Sequence, residues 1–226
     1  MTDDRSLSDA LKRPEGIWTL ASNAIPVVGV LAFGWSALAL MVFYWIENVL
    51  IGAFNVAKIL IAGFGKRAPM NYLSLVLAPF FVFHYGLFCF VHGVFIFAIF
   101  KMADLIAGRG EPDADSFDLL ARVVQMLEQD TDLKWAAVAL LAVMALRFGV
   151  LWLGRGAWRD AEPLSQMFEP YGRVIVLHLT IFLATIPVLL LGQPVIAVFL
   201  LAVFKTGLEL GLPWFQVNAP ADRDAA

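Results

Sequence analysis

Long uninterrupted apolar runs restrict this chain more than any other feature. Six stretches read as membrane spans: about 17–33, 35–62, 72–100, 133–153, 174–191 and 194–213. A helix needs roughly 20 predominantly apolar residues to cross the hydrocarbon layer. Lipid leaves no partner for an unpaired backbone amide, and the runs lack the alternation of a barrel strand, so helix is the reading that remains. Pro26 interrupts the first run and Pro79 lies within the third. Gly34 separates the first two with almost no loop, and Gly192-Gln193-Pro194 joins the last two.

Composition supports the same class. The chain is 61% apolar and 15% charged over 226 residues, where a soluble domain is near half apolar and a quarter charged. One water-soluble core of this size could not hide the surplus. The expected fold is all-α: a polytopic membrane helical bundle of about six transmembrane helices. It divides into an N-terminal segment 1–16, a membrane domain 17–213 and a tail 214–226. A net charge of −3 leaves no basic surplus for nucleic acid. The single cysteine, Cys89, excludes an intrachain disulfide framework and a cysteine-based zinc ribbon. The lipid bilayer is the partner expected, and assembly into a homo-oligomer stays open.

The first sixteen residues carry mixed charge, and no cleavage-like end follows them, so they are not read as a signal peptide. Lys and Arg placement sets the orientation. With the N-terminus inside, the inner segments hold Arg5, Lys12, Arg13, Lys58, Lys66, Arg67, Arg155, Arg159, Arg173 and Arg223, whereas the outer ones hold Lys101, Arg109, Arg122 and Lys134. Both termini are therefore expected in the cytoplasm. Two connections carry apolar residues of their own. In the 103–132 connection, 116–128 reads as an amphipathic helix beginning at Ser116, with Phe117, Leu120, Val124 and Leu127 on one face. The 156–172 connection, with Trp158, Met167, Phe168 and Tyr171, suits a short helix on the bilayer surface.

Ionisable groups within a bilayer cost a few kcal/mol each by insertion scales and usually face the bundle interior. The spans hold Glu47, His84, His92, Arg147, His178, Lys205 and Glu209, with Asn48 and Asn55 beside them. A rise of about 1.5 Å per residue puts Glu47, His84, His178 and Glu209 in the inner half to middle of the membrane, and His92 about 12 Å beyond His84. One metal ion cannot bind both of those histidines. Glu47, His84 and His178 are the candidate metal ligands, with Asn48, His92, Lys205 and Glu209 as supporting or relay groups. Carboxylate and imidazole suit zinc, iron or manganese. The same groups could pass protons, two histidines could clasp a haem, or the set could only hold helices together. Lys205 and Glu209 are four apart, the spacing of an intrahelical ion pair. Gly93, beside His92, permits close helix approach.

Several stretches carry a resemblance. They are Tyr44-Trp45-Ile46-Glu47-Asn48 continuing to Asn55, His84-Tyr85-Gly86 with His92-Gly93-Val94-Phe95, Pro170-Tyr171-Gly172-Arg173 followed by His178-Leu179-Thr180, and Lys205-Thr206-Gly207-Leu208-Glu209. Together they resemble an uncharacterised prokaryotic family of multi-pass membrane proteins catalogued only as a domain of unknown function. The resemblance spans roughly 17–213. In the family's pattern an aspartate is usual where Glu209 stands. The resemblance implies a prokaryotic plasma-membrane location and marks Glu47, Asn48, His84, His92, Arg173, His178 and Lys205 as positions of interest. It implies no reaction, substrate or cofactor. Three functions therefore stand side by side: a membrane metal or redox protein, a small transporter or channel using a Glu/His path, and a non-catalytic scaffold.

Overall fold

The computed structural model describes residues 14–65, 72–106, 108, 118–172 and 174–175. Among these, every regular element is helical. They are α1 (Pro14–Phe33), α2 (Ala37–Ala62), α3 (Leu73–Ile106), α4 (Leu119–Gln129), α5 (Thr131–Arg147) and α6 (Pro163–Phe168). α5 runs on into a π-helical segment, Phe148–Gly154. Among the described residues, three helices are long and apolar enough to cross a membrane: Ala37–Ala62, Leu73–Met102 and Thr131–Gly154. They coincide with the expected spans 35–62, 72–100 and 133–153, although α3 stays helical as far as Ile106. α1 is apolar enough only over Ala24–Phe33. The expected spans 174–191 and 194–213, apart from residues 174 and 175, lie outside the described residues, as does the C-terminal tail.

Local chemistry explains where the helices begin. Pro14 opens α1, a position where its missing N–H costs nothing. Ser36 caps α2, its Oγ accepting from the Ala39 amide at 3.1 Å. Asp118 Oδ1 accepts from Ala121 N at 3.0 Å and starts α4. Asp130 closes α4 and opens α5, where its Oδ1 accepts from Leu133 N at 2.9 Å. One aspartate thus turns the chain from a surface-type helix into a spanning one with no loop between.

α2 is the centre of the bundle. Some 61% of its apolar window is buried, against 22% for α3 and 11% for the α5 span. Leu40 through Trp45 are buried in succession, so this half of α2 is enclosed on every side. Its neighbours include Ile96 and Phe97 of α3, Leu119 and Val123 of α4, and Leu133 and Leu140 of α5. The outer faces of α3 and α5 carry exposed Phe83, Val76, Trp135 and Leu146, as lipid-facing sides do. Lipid tails are as apolar as leucine, so burying apolar area does little to join such helices. Close packing and polar contacts do more.

α2 and α3 form an antiparallel pair. Gly63 lies against Ser74, Gly52 against Tyr85, and Gly93 against Trp45. A Cβ added at Gly52 would sit 2.5 Å from Tyr85 Cε1, so only glycine admits that ring. On α2 the buried residues beyond Trp45 include Asn48, Gly52, Asn55, Ile59 and Ala62; on α3 they include Ser74, Ala78, Phe81, Tyr85, His92 and Ile96. Steps of three and four, with one of seven between Tyr85 and His92 that the half-buried Cys89 divides, make each set one continuous seam.

Both connections depart from expectation. In α4 the inward face is Leu119 and Val123, and Leu127 packs against the same core as expected, whereas Leu120 is 71% exposed and Val124 52% exposed; Phe117 lies outside the described residues. The sequence offers two apolar stripes one residue apart, and Gly93 selects between them by making room for the Leu119 side chain. α6 does not lie out on a surface. Pro163, Gln166 and Met167 are buried, and Met167 packs with Ile59, Phe81 and Tyr85 of the α2–α3 pair.

Candidate functional site

The α2–α3 seam carries most of the buried polar side chains. Among the described residues these are Glu47, Asn48, Asn55, Ser74 and His92, with Gln166 of α6. Each helix position follows from the seam periodicity, and each polar group then needs a partner, because low-dielectric surroundings make an unpaired one expensive. Asn48 satisfies its amide locally, Nδ2 donating to Tyr44 O at 2.9 Å. Its own backbone carbonyl accepts from the Tyr85 hydroxyl at 3.2 Å. Asn55 Nδ2 donates to the Gln166 carbonyl at 2.8 Å, tying α6 to α2. Among the described residues, Gln166 Oε1 is buried without a hydrogen-bond partner.

The two histidines of α3 go different ways. His92 is buried on the seam, and its Nδ1–H donates to Phe88 O one turn back, at 2.8 Å. That bond puts the proton on Nδ1 and fixes the orientation of the ring. His84 lies on the flank, one helical step from the buried Tyr85. Its Nδ1 is 2.7 Å from the Tyr171 hydroxyl, and its ring stacks on Phe80 with centroids 5.6 Å apart.

Asn48 and His92 meet at a small cavity between the helices. Trp45, Phe88, Cys89 and Val174 complete its wall. Its volume is about 10 Å³ and the atoms that face it are apolar, the character of a packing gap more than of a water site. Trp45 closes the other side of this cluster, donating Nε1–H to Cys89 O at 2.6 Å.

Of the residues singled out in the sequence, Glu47 is buried on α2, one position before Asn48. Asn48 and His92 share the cavity, whereas His84 has Tyr171, Phe80 and Phe88 for neighbours. His178, Lys205, Glu209 and Arg173 lie outside the described residues. Among the described residues no group of three His, Cys, Asp or Glu side chains is arranged to hold a metal ion. Sequence reasoning missed Tyr171 as the partner of His84 and Cys89 as a cavity residue. Cys89 was discoverable: Tyr85, Cys89 and His92 repeat at four and three, and small or polar residues at that spacing mark interfaces in membrane helices. No local signal pointed to Tyr171, which is 87 residues from its partner.

Residues 5–226 match the model of a family of unknown function, DUF6498. The chain belongs to that family. No curated protein and no solved structure matches it. The DUF6498 match takes in the α2–α3 pair, α6 and the stretch that contains His178, Lys205 and Glu209, so the whole candidate site lies inside the family domain.

Proposed function

We propose that this DUF6498 member is a polytopic protein of a prokaryotic plasma membrane, with both termini in the cytoplasm, and that its polar seam relays protons. Glu47 and His92 would exchange the proton, and Asn48 would hold the water or side chain between them. His178, Lys205 and Glu209 are candidates to extend the path. The observation that carries this reading is the burial of a carboxylate on α2 and an imidazole on α3, Glu47 at 4% exposure and His92 at 8%. The imidazole is held by its Nδ1–H on Phe88 O, on the helix that packs against the one carrying Glu47. Insertion scales put an ionisable group at mid-span at roughly 3 kcal/mol, a large cost for groups that serve packing alone.

The test is passive proton flux in liposomes. Purified protein is reconstituted with an internal pH-sensitive dye, and a pH gradient is imposed under a potassium diffusion potential. The gradient should collapse faster than in protein-free liposomes, and Glu47→Gln and His92→Gln should each slow the collapse. Protein-containing liposomes that hold the gradient as long as empty ones would refute the relay.

A metal ion on Glu47, His84 and His178 is the second reading. It is favoured by the Tyr171 hydroxyl at His84 Nδ1, which would orient the ring and leave Nε2 for a ligand, as outer-shell partners of metal-bound histidines do. Zinc, iron or manganese in stoichiometric amount by elemental analysis, lost in His84→Ala, would establish it.

A further inference from the structure

We propose that the turn after the span Thr131–Gly154, with Arg155, Trp158 and Arg159, binds the phosphate headgroup of an anionic phospholipid. The site uses none of the seam residues, so the proton relay can fail and leave it standing.

The depth of the turn follows from helix length. The span has 24 residues, about 36 Å at 1.5 Å per residue, against a hydrocarbon layer of about 30 Å. Arg155 is the next residue, so it emerges where lipid phosphates begin. The turn also rests on the end of a second span. A Cβ added at Gly65, just past α2, would lie 2.8 Å from the Trp158 carbonyl oxygen and 3.0 Å from that of Arg159. Two helices that end at the same membrane face therefore hold the turn at headgroup level.

Local geometry then shapes it for an anion. Gly156 takes a left-handed φ of 75° and starts the 3₁₀ turn Ala157–Arg159. Because Gly156 has no side chain, the Arg159 guanidinium folds back over it, where a Cβ would meet Nη1. The same guanidinium lies over the Trp158 ring, 5.0 Å from its centroid. Arg159 is thus held against the residue next to Arg155, and both arginines are exposed. Among the described residues neither forms an ion pair with a carboxylate. Lys58, by contrast, is taken up by Glu169, and Glu162 accepts from the Ser165 hydroxyl at 3.3 Å. A guanidinium offers paired donors that match a phosphate, and tryptophan suits the boundary between headgroups and acyl chains. A free phosphate would use the arginines alone. Val150 and Leu153, exposed on the span just below, add a surface for acyl chains and favour a lipid.

The full-length protein, purified in detergent and stripped of lipid, is titrated with cardiolipin, phosphatidylcholine or inorganic phosphate, and adducts are followed by native mass spectrometry. Cardiolipin should bind at least about tenfold more tightly than phosphatidylcholine, and Arg155→Gln and Arg159→Gln should each weaken it about fivefold, the scale of one basic residue at an anionic surface. The double variant should fall to the phosphatidylcholine level. Arg122→Gln removes a charge set over Phe97 near the opposite end of the bundle and should bind as wild type does. Cardiolipin bound equally by wild type and a folded double variant would overturn the site, as would inorganic phosphate bound as tightly as cardiolipin. Should the double variant fail to fold, salt decides with the wild-type protein. Raising ammonium acetate about tenfold should weaken cardiolipin and spare phosphatidylcholine; an unchanged cardiolipin affinity overturns the site.

Discussion

The indole nitrogen of Trp45 reaches the backbone carbonyl of Cys89 at 2.6 Å, across the α2–α3 interface. A helical carbonyl points towards the residue four positions on, which normally shields it with a side chain. Here that residue is Gly93. A Cβ there would lie 2.9 Å from Trp45 Nε1 and 2.5 Å from Leu119 Cδ2. One missing side chain therefore admits a ring from α2 and a leucine from α4. Gly93→Ala should destabilise the protein by about 1–3 kcal/mol as overpacking, although alanine favours helix by about 1 kcal/mol. Thermal unfolding in detergent checks it. The partner variant Trp45→Phe should recover part of the loss, because it removes the nitrogen that meets the new methyl group.

Tyr85 tests whether the seam is held by its ring or by its hydroxyl. The ring fills the space that Gly52 leaves open and stacks on Phe81 with centroids 4.8 Å apart. The hydroxyl donates to Asn48 O at 3.2 Å. Hydrogen bonds between membrane helices average about 0.6 kcal/mol by double-mutant cycles. Tyr85→Phe should therefore cost less than about 1 kcal/mol. Tyr85→Ala, which empties a buried site, should cost about 3–5 kcal/mol, as aromatic truncations do. Equal losses in a detergent unfolding series would mean that the hydroxyl, not the ring, holds the helices.

The helices were legible because span length is a property of composition: Ala37–Ala62 coincides with the run at 35–62. Facing was harder. A helix apolar on all sides gives periodicity little to work with, and α3 is such a helix. Its seam was marked instead by the small and polar residues Ser74, Ala78, Cys89, His92 and Gly93. That signal separates His92 from His84 without any structure, because eight residues advance the helix by about 80° as well as 12 Å. The pairing of His84 with Tyr171 had no such marker. It depends on α6 turning inward, and a short stretch with Trp158, Met167 and Phe168 reads equally well as a membrane-surface helix.

The α4 register gives a sharp comparison. Leu119 and Leu120 are adjacent and chemically identical, yet Leu119 is 5% exposed and Leu120 is 71% exposed. Leu119→Ala removes a packed side chain from the space beside Gly93 and should cost about 2–5 kcal/mol. Leu120→Ala should fall within about 0.5 kcal/mol of wild type, as exposed substitutions do. Chemical unfolding of the two variants side by side checks the face, and the reverse order would rotate α4 by one residue.

His92 provides the comparison that separates chemistry from packing. Its Nδ1–H bond to Phe88 O needs only a donor near the ring's position, whereas a relay also needs the second nitrogen to gain and lose a proton near neutral pH. His92→Gln keeps a donor of similar reach and cannot titrate. If the seam relays protons, this variant should retain most of the wild-type unfolding temperature and lose at least about tenfold in liposome proton flux. If His92 serves only packing and its bond within α3, flux should follow stability, and Gln should preserve both. His92→Leu supplies the opposite control, since it keeps the volume and leaves Phe88 O without its side-chain donor. That variant should lose flux in either case, and a fall in unfolding temperature confined to it would show that the donor and the titrating nitrogen make separate contributions.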